Sequence, residues 1–421
     1  MTEWEPVAMS HKAVDDVRFA INELKDVLRP RIPQLDSRSD GMATVRNLLG
    51  SVRLPSGGTL HVSPPQTANE QWAESIAQLL DTGTRIAVSG SQRSNQSPNR
   101  NDLVTAVALE YANRLDEALR RVGPIEAYRR EQRSFRRLSG HLRISQWLRT
   151  ATLDPSAFPI ERDSFTTSND FSLALAKVAG LLAFSARSGR LASRLMSLQC
   201  QLLPGEPTPT VVNPAIAARP MPAQWAPYRP AWDIAAAVLR NRSVVGDPGT
   251  STGLEVAVEP WPLLETLLER SLRTFAAASN GEYQFAPKRA YPLLSRSTNG
   301  KPLRSTTDQS VEPDGLLVRN SLPAISFEAK YTTRTARPHR THVFQTLTTA
   351  AALGTSAAVL VYPGNEALKL YEVAGFCGSP RHLATLGLSM FTYSRRSGDV
   401  ERANLITALL EDIARHSPTA T

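Results

Sequence analysis

The chain has 421 residues, 41% of them hydrophobic and 21% charged, a balance that fits a soluble globular protein of two or three domains and excludes fibrous and disordered classes. No uninterrupted apolar run approaches bilayer length, and the opening MTEWEPVAMSHKAVDD lacks the basic-then-apolar order of a secretory signal, so no membrane association is expected and the cytoplasm is the expected compartment. The net charge of +9 points to a polyanionic partner, nucleic acid first.

Gly50 to Pro64, GSVRLPSGGTLHVSP, alternates apolar and polar residues around a Ser-Gly-Gly turn and predicts a hairpin in a small β-rich N-terminal domain, residues 1–102. The polar stretch from Ser89 to Asp102 has almost nothing to bury and reads as a mobile loop or linker. A mainly helical middle region, 103–245, follows. LVTAVALEYANRLDEALRRV keeps apolar residues at helical spacing behind an Asp102 cap, and further helices are expected over Phe171–Phe184 and Arg190–Leu203. The Pro-rich segment from Pro204 to Pro230 predicts an extended connector, since each proline removes a backbone donor, with Trp232–Leu239 opening the next helix. Cys200 and Cys377 lie far apart without CxxC spacing, which argues against a disulfide framework or structural zinc and reads as two buried thiols.

The last region, 246–421, begins with GDPGTSTG, which lacks the GK[ST] ending of a phosphate loop and reads as a plain loop. Glu259–Phe275 predicts a helix with Leu264, Leu267, Leu268, Leu272 and Phe275 on one face. Strand GLLVR, strand AISFEAKY, a helix around His342–Leu353 and strand AAVLVYP come next, and the final crossover makes its two strands parallel. The expected class is α/β in a multidomain α+β chain, ending in a mixed sheet flanked by helices.

Charges among these strands are costly unless paired or metal-bound. Alternation puts Ile325, Phe327 and Ala329 on one face of their strand and Ser326, Glu328 and Lys330 on the other. Asp314 opens the neighbouring strand, so a hairpin brings its carboxylate beside Glu328. Two carboxylates and a backbone carbonyl suit a hard cation such as magnesium, or manganese, which activates water and stabilises phosphoryl charge. Lys330 is placed to orient or deprotonate the attacking water, or to stabilise the transition state. The ordinary alternative is a solvated hairpin face.

Pro313-Asp314, thirteen residues, then Glu328-Ala329-Lys330 resembles the PD-(D/E)xK nuclease superfamily. The resemblance implies a restriction-endonuclease-like core in which an acidic residue of the preceding helix, Glu265 or its substitute Glu269, joins Asp314 and Glu328 at the metal. Gln345 matches a polar residue often found on the following helix. His342 reads as a surface residue, and Tyr331 and Tyr362 as packing or groove-lining residues.

The flanks narrow the resemblance. LGSVRLPSGGTLHVSPP, SFRRLSGHLRISQWL, FPIERDSFTTSNDFSLALAKVAGLL, YRPAWDIAAAVL and WPLLETLLERSL precede the hairpin in the order found in McrC, the nuclease subunit of McrBC-type modification-dependent restriction systems. Pro65 stands where that family has a lysine, and Ser139 where it favours arginine. The resemblance implies a DNA endonuclease docked on a McrB-like AAA+ GTPase or ATPase hexamer. A non-catalytic adaptor that stimulates the partner and a stand-alone nuclease are the alternatives. Arg129, Arg130, Arg133, Arg136, Arg137 and Arg143 form a basic run that is either a solvated or partner-facing surface or a DNA patch. Arg334, Arg337 and Arg340, just after the catalytic strand, are better placed to contact the scissile strand.

Overall fold

The computed structural model describes residues 1–28, 33–38, 40–65, 71–80, 86–91, 103–186, 188–207, 209, 211–241, 253–298, 301–332, 337–374 and 380–416. The chain forms two compact units. The first joins residues 1–89, 94–106 and 255–421; the second holds 90–93 and 107–254. The expected middle region, 103–245, falls mostly in the second, whereas 1–102 and 246–421 meet in the first. Most of the polar stretch before Leu103, the Asp102 cap, most of the GDPGTSTG loop, Arg334 and Cys377 lie outside the described residues. Ser89 to Ser91, read as loop, instead finish a strand, Ile86–Ser91.

In the first unit, helix His11–Val27 starts at Ser10, whose hydroxyl accepts from the Ala13 amide. Its Val17, Ile21 and Leu24 recur at helical spacing and pack on Val45, Leu48, Val52, Leu60 and Val62. The expected hairpin is present as Leu49–Arg53 and Thr59–Val62, paired Gly50 to Val62, with Gly57 at φ +87° in its turn. Strand Gly253–Val258 pairs antiparallel with Leu49–Arg53, so the N-terminal hairpin and the chain entering the C-terminal region share one four-stranded sheet. Gly50 makes that pairing possible: at φ +108°, a Cβ there would lie 2.2 Å from the Val256 carbonyl oxygen.

Helix Trp261–Ala278 then leads into a six-stranded mixed sheet in the order Gln284–Ala286, Gly315–Arg319, Leu322–Ala329, Ala357–Tyr362, His382–Gly387, Lys369–Glu372. Gly315–Arg319 and Leu322–Ala329 are antiparallel, and Leu322–Ala329 runs parallel to Ala357–Tyr362 through helix Arg340–Leu353, as the sequence predicts. Leu268 and Leu272 of the first helix lie against Gly315 on one face of the sheet. On the other, Leu347 and Ala350 pack on Ala358, Leu360 and Tyr362, so Tyr362 is a core residue. Helices on both faces explain why the central strands are apolar throughout. The unanticipated features include the three-residue edge strand, a hairpin of Tyr291–Thr298 with Lys301–Val311, the strands Lys369–Glu372 and His382–Gly387, and helix Gly398–His416.

The second unit is less purely helical than expected. Helices Leu103–Val122, Asp170–Ser185, Gly189–Leu202 and Arg229–Asn241 are joined by a three-stranded antiparallel sheet of Ala127–Phe135, Phe158–Thr166 and His141–Leu142. Polar residues on exposed strands hid this sheet from hydrophobic periodicity. The Tyr111 hydroxyl donates to the Leu175 carbonyl at 2.8 Å, and Arg114, paired with Glu110 one turn earlier on the same helix, donates to the Pro230 carbonyl at 3.1 Å. The Pro-rich connector contains two short 3-10 turns, Pro214–Ala218 and Ala223–Tyr228. Within the arginine run, Arg130 pairs with Glu161 and Asp163, while Arg133, Arg136, Arg137 and Arg143 are exposed. Cys200 is exposed, correcting the buried reading: it falls beside the Leu191, Leu195, Leu198, Leu202 stripe of its helix. No helix among the described residues is long and apolar enough to cross a membrane.

Candidate active site

Strand pairing brings the sequence-predicted residues together. Gly315 stands opposite Phe327, so Asp314 comes alongside Glu328, and the Ala329 amide donates to Asp314 Oδ2 at 2.9 Å. The Lys330 amide continues the parallel ladder by donating to the Val361 carbonyl, which fixes the backbone of the catalytic candidate. Gly315 has a packing role beside Asp314, because a Cβ there would meet Leu272 Cδ1 at 2.4 Å. That close approach lets helix Trp261–Ala278 deliver Glu265 to the same end of the sheet.

Two hydrogen-bonded groups result. In one, Lys288 Nζ donates to Asp314 Oδ1 at 2.9 Å and to Glu265 Oε2 at 3.1 Å. In the other, Lys330 Nζ donates to Gln345 Oε1 at 3.0 Å, and Gln345 Nε2 donates to Glu328 Oε1 at 3.1 Å. Lys330 Nζ is 4.0 Å from the second Glu328 oxygen. Asp314 links the groups electrostatically, since its carboxylate disfavours the charged forms of both Glu265 and Glu328. All six side chains line a cavity of about 460 Å³, together with Asn47, Trp261, Glu312 and Tyr331.

The electrostatics follow from crowding and burial. Glu328 is 3% exposed. Burial, then the Asp314 carboxylate, push it up to about 8, with Lys330 and Lys288 opposing. Burial and Asp314 likewise push Glu265 up to about 7 against the pull of Lys288. Burial works against the charged form of Lys288, but Asp314 and Glu265 more than offset it and hold the ammonium above the ordinary lysine range. At neutral pH Glu265 and Glu328 are therefore partly protonated while the Lys288 ammonium stays charged.

Beneath the site lies a support that the sequence did not reveal. The Glu3 carboxyl is fully buried and bonds the Tyr331 hydroxyl at 2.6 Å and the Leu48 amide at 3.3 Å. Burial pushes it up to about 8, opposed by those hydrogen bonds. Trp4 tilts against the Tyr331 ring, with centroids 6.2 Å apart. The N-terminal segment thus anchors the residue after Lys330, and Asn47, at φ +59°, reaches the cavity from the same side.

Other candidates fall outside the hydrogen-bonded groups. Glu269 pairs with Arg273 at 2.6 Å on the helix surface, whereas Glu265 is the acidic residue that this helix places in the cavity. His342 sits near Lys330 and His339, and burial, Lys330 and His339 push its ring below the usual histidine range. Arg337 and Arg340 are exposed at the start of helix Arg340–Leu353, and the Arg340 guanidinium lies 5.1 Å from the Phe344 ring centroid. Lys288 had no sequence signal, because the strand that places it is three residues long.

No group of three or more His, Cys, Asp or Glu side chains among the described residues forms a metal-binding cluster. Magnesium is commonly held by one or two carboxylates with water completing its shell. Asp314 and Glu265, which already converge on one ammonium, fit that requirement.

The family model of the McrBC 5-methylcytosine restriction system component matches residues 43–363. Among solved structures, a chain of the refined half-complex from a tetradecameric assembly of Thermococcus gammatolerans McrB AAA+ hexamers with bound McrC is similar at 14% identity and a TM-score of 0.60, covering 97% of this chain and 99% of that one. A chain of the cryo-EM structure of the Thermococcus gammatolerans McrBC complex matches at 16% identity and a TM-score of 0.42, covering 65% and 87%. No curated protein matches. The McrC-like resemblance read from the sequence is borne out: the chain belongs to the McrBC 5-methylcytosine restriction system component family.

Proposed function

We propose that this restriction-system subunit is the DNA endonuclease, a magnesium-dependent phosphodiester hydrolase of PD-(D/E)xK type, activated by an AAA+ GTPase or ATPase of the McrB kind. The observation that carries the reading is the convergence of Asp314, Glu265, Glu328, Lys330 and Gln345 in one cavity. The partner is proposed from the relative of similar fold, whose structure holds McrB hexamers with bound McrC.

Asp314 and Glu265 would hold the magnesium or manganese ion, which when bound supplies charge stabilisation at the phosphoryl oxygens and acidifies water. The chain's own residues do the rest. Gln345 fixes the Lys330 ammonium by accepting from it, and so aims a positive charge at the phosphate position. Its amide also donates to Glu328, setting the orientation of a carboxyl that gains negative charge as pH rises through about 8. Arg337 and Arg340, exposed near this end of the sheet, are proposed to track the DNA backbone, with Arg334 beside them in sequence.

The test is cleavage of modified DNA by the chain and its AAA+ partner, with GTP and magnesium. Wild type is expected to cut and Asp314→Ala to lose at least about a hundredfold in rate, in the range for a group acting on transition-state charge. Full cleavage by Asp314→Ala overturns the reading. One observation favours a second reading, a non-catalytic adaptor: Lys288 already neutralises Asp314 and Glu265. Acceleration of partner GTP hydrolysis with no breaks on any modified DNA would decide for the adaptor.

A further inference from the structure

Lys288 belongs to no motif in the chain, yet its ammonium contacts both carboxylates proposed to hold the metal, Asp314 at 2.9 Å and Glu265 at 3.1 Å. Its position follows from the sheet. Gln284–Ala286 pairs antiparallel with Gly315–Arg319, and Ala286 stands opposite Leu316. Continuing that register by two residues sets Lys288 opposite Asp314. The edge strand is therefore short but decisive, since it carries a lysine to the one end of the sheet where Asp314 and Glu265 meet.

Exposure differs across the bridge. The side chain of Lys288 is 41% exposed, whereas those of Asp314 and Glu265 are 11% and 24% exposed. Asp314 is further fixed by the Ala329 amide. The ammonium thus comes from the solvent side onto carboxylates that the fold holds still, and its flexible stem lets it leave again. Lys330 does not share this position, because its ammonium is engaged by Gln345. The two lysines are placed for different tasks.

We propose that Lys288 is a built-in counter-cation of the metal site: it keeps Asp314 and Glu265 together before loading, and a divalent cation must displace it, so that it raises the metal concentration at which the site fills. The inference rests on the reading that these two carboxylates hold the metal. A lysine ammonium and a hydrated magnesium ion both seek carboxylate oxygens, and one pair of oxygens cannot serve both at close range. Removing the ammonium leaves two crowded carboxylates with no counter-charge, which is a better divalent site and not a worse one.

The experiment measures manganese binding to the full chain without DNA at pH 8, by calorimetry or by the electron paramagnetic resonance signal of free manganese. Lys288→Met and Lys288→Gln are expected to bind manganese about tenfold more tightly than wild type, the scale of two partly screened charge contacts. Lys288→Arg, which keeps the charge, is expected to bind no more tightly than wild type. Thermal melts followed by circular dichroism confirm that each variant is folded. If wild type and Asp314→Ala bind manganese equally, the metal reading itself fails. If wild-type binding depends on Asp314 but Lys288→Met and Lys288→Gln bind equally or more weakly, the counter-cation inference is overturned. Tightening by Lys288→Arg to the level of Lys288→Met also overturns it, because charge would not be the cause.

Discussion

Replacing Glu3 by glutamine tests whether the carboxyl under the candidate active site is protonated. Burial pushes Glu3 from its reference value of 4.5 up to about 8, so the folded protein holds a proton that the unfolded chain releases. Its contribution to stability is complete below about 4.5 and is lost as pH rises through about 8. At about 1.4 kcal/mol per pH unit, the loss across that window is on the order of 5 kcal/mol. Glutamine reproduces the protonated acid: its carbonyl accepts from the Leu48 amide and its amide donates to the Tyr331 hydroxyl, which can reverse its own role. Urea unfolding of both proteins from pH 5 to pH 9 is the assay. Glu3→Gln should match wild type near pH 5 and exceed it progressively toward pH 8, levelling above that. Glu265 and Glu328 slope the same way in both proteins, so they cancel in the difference. Parallel stability curves for the two proteins would refute the reasoning.

Two further outcomes follow from the site. Glu265 is pushed up to about 7 and Glu328 up to about 8, and both must ionise to attract a cation or a proton, so cleavage at fixed subsaturating magnesium should rise from pH 6 to pH 8.5; a flat profile with chemistry rate-limiting would contradict this assignment. Gly315→Ala forces a methyl to within 2.4 Å of Leu272 Cδ1, and thermal or urea melts should show a loss of about 1–3 kcal/mol, the range for overpacking. An unchanged midpoint would mean that the helix does not depend on this close approach.

Local sequence determined the part of the site that lies on adjacent strands. Alternation along SFEAK and the proline before Asp314 were enough to place Asp314, Glu328 and Lys330 at one end of one hairpin, because strand periodicity is a property of the backbone. The parallel crossover from Leu322–Ala329 to Ala357–Tyr362 was legible for the same reason, a helix pattern between two apolar runs. What periodicity cannot express is which distant segment faces which. That Glu265 and not Glu269 lines the cavity depends on the pitch at which the helix packs on Gly315. Lys288 arrived through an edge strand too short to show a pattern, and Glu3 reached Tyr331 only because the first and last parts of the chain share a unit. The arginine-rich strand Ala127–Phe135 was hidden by its exposure, since a sheet that buries little leaves no apolar stripe to read. The sequence by itself determined the residue types and their local faces. Only the tertiary structure decided the counter-charges and supports, because those are set by sheet order and long-range packing.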